Sequence, residues 1–284
     1  MIEKILLAVA GRGLCEEMFN MLMDIPSLQQ QTSVTVLHVV PPQVTSDGMA
    51  SKLEEGGKIL AQAVQSLKID PSKVNPRLKQ GDPKTTVCQV AEEEQSDLVI
   101  MGSRGLGRLQ SILENSVSQY VFQLTSRPML LVKDDIYVKK IKRVMVAIDK
   151  SESAKQSLDL ALSLVKDVSG GQIILVHVTK DLTGKSTEDL TASAEKDLVL
   201  APAVALAKQR GISYRCVSAT GKPGETICRL TDEMNADLLV IGSPDRRPSV
   251  AKSFVDLDRL LGNSLSDYVR VYANCPVLLA RTIG

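Results

Sequence analysis

Tryptophan is absent from this 284-residue chain, and three Phe and five Tyr make up its whole aromatic content. So sparse a set leaves little from which to build a base-stacking platform or an aromatic groove for sugars or peptides. Histidine is nearly missing too, with two residues, and the five cysteines (Cys15, Cys88, Cys216, Cys228, Cys275) are scattered without a CxxC pair. No zinc set or other metal site is expected from them, and the thiols are expected to stay reduced. Neither sign of charge is in excess: 34 Lys and Arg stand against 33 Asp and Glu, net +1. That balance lacks the electrostatic footprint of a nucleic-acid binder. Long apolar runs are lacking as well. Segment 5–10 meets Gly11-Arg12-Gly13 at once, too short for a signal peptide or a bilayer span. The expectation is a cytoplasmic protein with no membrane or nucleic-acid partner.

What is present is a 44% hydrophobic fraction, enough for a core, and a length that suggests two domains. An internal repeat supports that division. Ile5–Ala10 returns as Val144–Asp149, and Val36-Leu37-His38-Val39 returns as Leu175-Val176-His177-Val178. Gly81-Asp82-Pro83 returns as Gly221-Lys222-Pro223, and Asp97–Ser103 returns as Asp237–Ser243. Asn115–Val121 returns as Asn263–Val269. The offset is 139 or 140 up to Gly242 and 148 afterwards, so the second copy carries about eight extra residues between its last two blocks. Domains at 1–138 and 139–284 are expected, meeting in the charged stretch 133–140, where Lys139, Lys140, Lys142 and Arg143 read as a solvated linker.

Within the first copy, apolar runs at 5–10, 34–40, 74–79, 98–101 and 129–132 lack one-face alternation, the mark of strands covered on both faces. Between them, 15–28, 50–67, 83–94 and 116–124 carry helix-spaced apolar residues. Asp82-Pro83 supplies a cap and a first-turn proline, and Ser151 or Ser153 opens the first helix of the second copy. Alternating strands and helices predict an α/β fold of two tandem doubly wound parallel sheets. In such sheets ligands sit beyond the carboxyl ends of the strands, where strand order reverses.

The most informative such position is Met101-Gly102-Ser103-Arg104-Gly105-Leu106-Gly107, with Asn115-Ser116-Val117 following and opening a helix. Glycines let main-chain N–H groups approach an anion, a helix start adds unpaired donors, and Arg104 adds a cation that forks onto phosphate. A plain turn that needs glycine is the alternative reading. Other candidates are weaker. Gly184-Lys185-Ser186 looks like the end of a P-loop, but Thr179 stands at its first glycine position. Gly11-Arg12-Gly13 suggests a dinucleotide fingerprint, but its third glycine position holds Glu16. His38 and His177 read as satisfied core histidines, Cys88 and Cys228 as buried inert thiols. Segment 41–55 reads as a polar connection of the kind that acts as a lid or is merely mobile.

Gly102-x-x-Gly105, nine residues, then Asn115-Ser116-Val117 resembles the nucleotide-binding signature of the universal stress protein family, Gly-x-x-Gly, nine residues, Gly-Ser/Thr. Strand 36–39, the Gly81-Asp82-Pro83 turn, the Arg127-Pro128 ending and their second copies, closing at Cys275-Pro276, are similar to it as well. The resemblance covers nearly the whole chain twice. It implies Rossmann-like domains of strand order 3-2-1-4-5 that bind an adenine nucleotide, ATP or AMP with or without Mg²⁺, and that pair with each other within the chain. It also implies roles: Gly102, Arg104 and Gly105 at the ribose and phosphates, Ser116 and Val117 at the phosphate tail, and Val39 offering its backbone to adenine, with Ala10 and Met101 in the same site. Two departures stand in the first copy. Asn115 replaces a glycine, and Ala10 replaces the family's usual Asp. The second copy departs the other way, forming a degenerate site from Asp149, Val178, Gly242, Asn263 and Ser264. It keeps the acid at Asp149 but reads Gly242-Ser243-Pro244-Asp245, where Pro244 removes a donor and Asp245 opposes phosphate.

The function expected is a stress-response sensor or regulator that binds nucleotide in its first domain, with no catalytic residues and at most slow incidental ATP hydrolysis. Bound nucleotide would order 102–107 and 41–55 and change a surface read by a regulatory protein. Edge strands leave room for a homodimer. The competing class is a structural or partner-binding protein that has lost nucleotide binding. An ATP pyrophosphatase would need a Ser- and Gly-rich loop after the first strand, which neither Gly11-Arg12-Gly13 nor Lys150-Ser151-Glu152 supplies.

Overall fold

Residues 2–103, 116–133, 140–180, 191–243 and 265–281 are described by the structure, a computed structural model. The chain divides into two compact units, Met1–Asp135 and Ile136–Gly284.

In the first unit the apolar runs become strands β1 (Lys4–Ala8), β2 (Ser33–Val40), β3 (Val74–Gln80), β4 (Leu98–Ser103) and β5 (Met129–Lys133). They pair in the order β3-β2-β1-β4-β5, all parallel, with Ile5 opposite both Val34 and Leu98. This is the doubly wound arrangement, and strand order reverses beside β1. The helices are α1 (Leu14–Met23), α2 (Pro26–Gln31), α3 (Ser46–Ser66), α4 (Pro83–Glu93) and α5 (Val117–Leu124). Helix α1 packs on β1, β4 and β5, α3 covers β2 and β3, and α4 lies against α5. Leu6, Leu7, Phe19, Val36, Val99 and Ile100 are sealed from solvent between these layers. Each such large apolar side chain contributes roughly 1.5–3 kcal/mol by burial.

Three sequence expectations need correction here. Segment 15–28 is two helices rather than one, because Pro26 holds Ile25 extended (φ −85°, ψ 114°) and then opens α2. Segment 41–55 is not a connection throughout. Thr45 caps α3, its hydroxyl accepting from the N–H of Gly48 at 3.1 Å, so residues 46–55 are helix and only 41–45 link it to β2. Finally, β3 is not covered on both faces. It is an edge strand whose residues are all half-buried or exposed, and it tolerates Pro76, in register with Val36, because an edge need not donate outward.

The second unit repeats the plan with β6 (Arg143–Ala147), β7 (Gln172–Lys180), β8 (Ser213–Gly221), β9 (Leu238–Gly242) and β10 (Val277–Ala280). Their order is β8-β7-β6-β9-β10, again parallel. Its helices are α6 (Glu152–Val165), α7 (Ala201–Gln209), α8 (Pro223–Glu233) and α9 (Leu265–Tyr272), with a 3₁₀ turn at Thr191–Lys196. One detail shows the copies using the same chemistry. Asp97 Oδ2 accepts from the N–H groups of Glu3 and Lys4 (2.8 and 2.9 Å), and Asp237 Oδ2 from those of Lys142 and Arg143 (3.1 and 2.7 Å). Among the described residues, no helix is long and apolar enough to cross a membrane.

Candidate functional site

Beyond the carboxyl ends of β1, β2 and β4 lies a cavity of about 270 Å³, closed by the first turns of α1, α4 and α5. It occupies the point of strand-order reversal. Of the residues expected to form a site, Ala10, Val39, Met101, Gly102, Ser116 and Val117 all line it. Arg104, Gly105 and Asn115, with the rest of segment 104–107, lie outside the described residues.

Two local features shape this cavity. Gly102 leaves its floor open, since among the described residues a Cβ added there would meet nothing nearer than the Cys15 sulfur at 3.6 Å. Ser116 stands in extended conformation as the cap of α5, its hydroxyl oxygen accepting from the N–H of Gln119 at 3.2 Å. The hydroxyl's acceptor side is thus used by the helix, while the N–H groups of the first turn have no intrahelical carbonyl to meet. The turn between β1 and α1 explains the other glycines. Gly11 and Gly13 both adopt left-handed backbone, φ 75° and 76°, which fits a tight turn rather than a dinucleotide fingerprint.

Three further residues of the wall stood outside the expected site. His38 is held by its Nδ1, 2.9 Å from the carbonyl oxygen of Val9, so it is satisfied as expected, yet it also lines the cavity. Cys15 is buried beside Gly102. Burial pushes its thiol up to about 12, the charge of Glu16 adds to the rise, and a main-chain hydrogen bond from Gly102 opposes it. Glu16 lines the cavity while only 5% exposed. Burial raises its carboxyl above the usual range, against hydrogen bonds from the main-chain amides of Glu16 and Cys15. The sequence held a signal for it: Glu16, Phe19 and Met23 recur at helical spacing on the buried face of α1.

The second unit differs at the same places. A Cβ on Gly242 would lie 2.5 Å from the carbonyl carbon of Ser153 and 2.8 Å from the nitrogen of Ala154. The start of α6 therefore sits directly on Gly242, where the first unit has space over Gly102. Asp149 is exposed and its Oδ1 accepts from both the N–H (2.8 Å) and the hydroxyl of Ser151, so the carboxylate helps to begin α6. Ser151, not Ser153, is the cap, accepting from the N–H of Ala154 at 3.2 Å. Val178 is half-buried on β7, and Asn263, Ser264, Pro244 and Asp245 lie outside the described residues, as does Gly184-Lys185-Ser186. Cys88 and Cys228, expected to be buried, are half-buried, because α4 and α8 turn their flanks rather than their core faces at these positions.

A larger hollow of about 600 Å³ lies at the opposite, amino ends of the second unit's strands, bounded by Lys142, Gly171, Ser213 and Asp237. Strand amino ends are not where doubly wound sheets collect ligand-binding groups, and Arg143 there is already paired with Asp237 at 3.3 Å. Among the described residues, no group of His, Cys, Asp or Glu is arranged to hold a metal.

Comparison with known proteins agrees with this architecture. The model of the Universal stress protein family matches the chain twice, at residues 1–133 and 140–281. Universal stress protein YxiE of Bacillus subtilis is 25% identical over 149 residues, a match covering 47% of this chain and 100% of YxiE. The universal stress protein A-like protein of Arabidopsis thaliana is 36% identical over 56 residues, 20% of this chain and only 32% of that protein. The crystal structure of a universal stress protein from Archaeoglobus fulgidus aligns over 98% of this chain and 96% of its own, with TM-score 0.72 and 24% identity, which speaks for the fold.

Proposed function

The chain belongs to the universal stress protein family, and from that premise we propose that its first unit binds an adenine nucleotide and acts as a sensor or regulator. The observation that carries this reading is the open floor at Gly102, facing the same cavity as the capped start of α5. A glycine with room above it and a helix N-terminus beside it form a cradle for an anion. Val39 would offer its backbone to adenine, Met101 and Gly102 would line the ribose, and Ser116 and Val117 would hold the phosphates. Arg104, Gly105 and Asn115 belong to the same reading. A triphosphate would bring Mg²⁺ with it as counter-ion.

The second unit is read as a non-binding partner domain, because α6 occupies the space over Gly242. In this reading the protein works by population shift: nucleotide favours one arrangement of the first unit's binding face, which a regulatory protein then distinguishes. It has no dedicated catalysis and works in the cytoplasm.

Calorimetry on the full chain with ATP and Mg²⁺, and with AMP, tests the proposal. Saturable binding by the wild type is expected, weakened at least tenfold by Gly102→Asp, which fills the floor and adds a negative charge. Absence of binding by the wild type at millimolar nucleotide would favour a purely structural or partner-binding protein.

A further inference from the structure

Among the charged side chains around the first unit's cavity, Arg12 is exposed whereas Glu16 is 5% exposed. Burying a carboxyl is costly unless hydrogen bonds repay it. Part of the repayment is local. Helix α1 starts at Gly13 with no side-chain cap, and a carboxylate in its first turn meets the favourable end of the dipole. The amides of Cys15 and Glu16 serve the carboxyl from the helix side. A carboxylate has about four acceptor sites and no donor, and Glu16 is part of the cavity lining, so a ligand entering there is best matched by hydrogen-bond donors.

A phosphate placed against Glu16 would meet like charge, whereas hydroxyl groups would meet acceptors. Two vicinal hydroxyls match the paired oxygens of one carboxylate. The cavity is therefore polarised, with a negative group at the start of α1 and N–H donors at the start of α5. We propose that Glu16 accepts hydrogen bonds from the vicinal sugar hydroxyls of the bound nucleotide, orienting it with its phosphates toward α5 and selecting ribose over deoxyribose. This rests on the nucleotide-binding reading above.

The test compares ATP with 2′,3′-dideoxy-ATP, each with Mg²⁺, by calorimetry on the full chain. Wild type is expected to bind the dideoxy compound about tenfold more weakly, the worth of hydrogen bonds to a charged acceptor. Glu16→Gln is expected to weaken ATP binding while barely affecting the dideoxy compound, so that the preference shrinks to about threefold or less. Equal affinity of wild type for both compounds overturns the role of Glu16 and leaves nucleotide binding standing; this comparison needs no variant. Equal losses for both compounds in Glu16→Gln also overturn it, since Glu16 would then act only on the helix start. Uptake of neither compound by the wild type overturns both proposals together.

Discussion

The Nδ1 of His177 and the Oδ2 of Asp197 lie 2.7 Å apart, at the strand position where the Nδ1 of His38 in the first unit meets the carbonyl of Val9. Asp197 also accepts from the hydroxyl of Ser218 at 2.7 Å and the N–H of Val199 at 2.8 Å, so one carboxylate binds the chain after the 3₁₀ turn to β7 and β8. Burial works to raise this carboxyl, but the hydrogen bonds from His177, Ser218 and Val199 outweigh it and hold it below the usual range. A depressed carboxyl stabilises the fold fully above the unfolded aspartate value, near pH 4, and the contribution is lost as pH falls through the lower folded value. Asp197→Asn should cost about 1–3 kcal/mol at pH 7 and less at pH 3. Urea melts of wild type and variant at the two pH values measure this; an equal deficit at both would contradict it.

The two strand-end glycines should respond unequally to the same small change. Gly102→Ala has ordinary contact distance to Cys15 and should alter stability by less than about 1 kcal/mol. Gly242→Ala drives a methyl into the backbone of Ser153 and should cost about 1–3 kcal/mol. Thermal melts of both variants decide it, and comparable losses would mean that the space over Gly102 is not there.

Removing the carboxylate of Asp97 or Asp237 leaves two main-chain N–H groups at a strand start without their acceptor. Each alanine variant should lose about 1–3 kcal/mol. Asp97→Asn should retain part of that through its amide oxygen, and urea midpoints are the readout.

Thiol labelling should be ordered by burial and not by position near a cavity. Cys15, pushed up to about 12, and Cys216, pushed up by burial to about 11, should alkylate last with iodoacetamide at pH 8. The half-buried Cys88 and Cys228 should react about tenfold faster or more. Peptide mass spectrometry assigns the order, and early modification of Cys15 would contradict this account.

Much of this was legible in residues. The repeat and the strand runs gave the doubly wound sheets, and Asp82, Ser116 and Ser151 cap helices where short polar residues precede helical periodicity. Val39 and Gly102 reach the cavity because strand ends converge at a reversal of order. What escaped depends on approach in space. Glu16 was hidden because a periodicity built on apolar residues passes over a charged one on the same face. Nothing local announces that Ser153 backs onto Gly242, since that distance is set by how α6 seats on β9. For β3 the clue was on show: Val74-Asn75-Pro76-Arg77-Leu78-Lys79 already alternates, as an edge strand does.

Pro76 has a consequence for self-association. A strand arriving from another molecule extends a sheet only by finding an unbroken row of amide donors, and on the outer side of β3 that row is interrupted, with Arg77 and Lys79 beside the gap. Addition of a further strand along β3 is thereby discouraged by an imino acid.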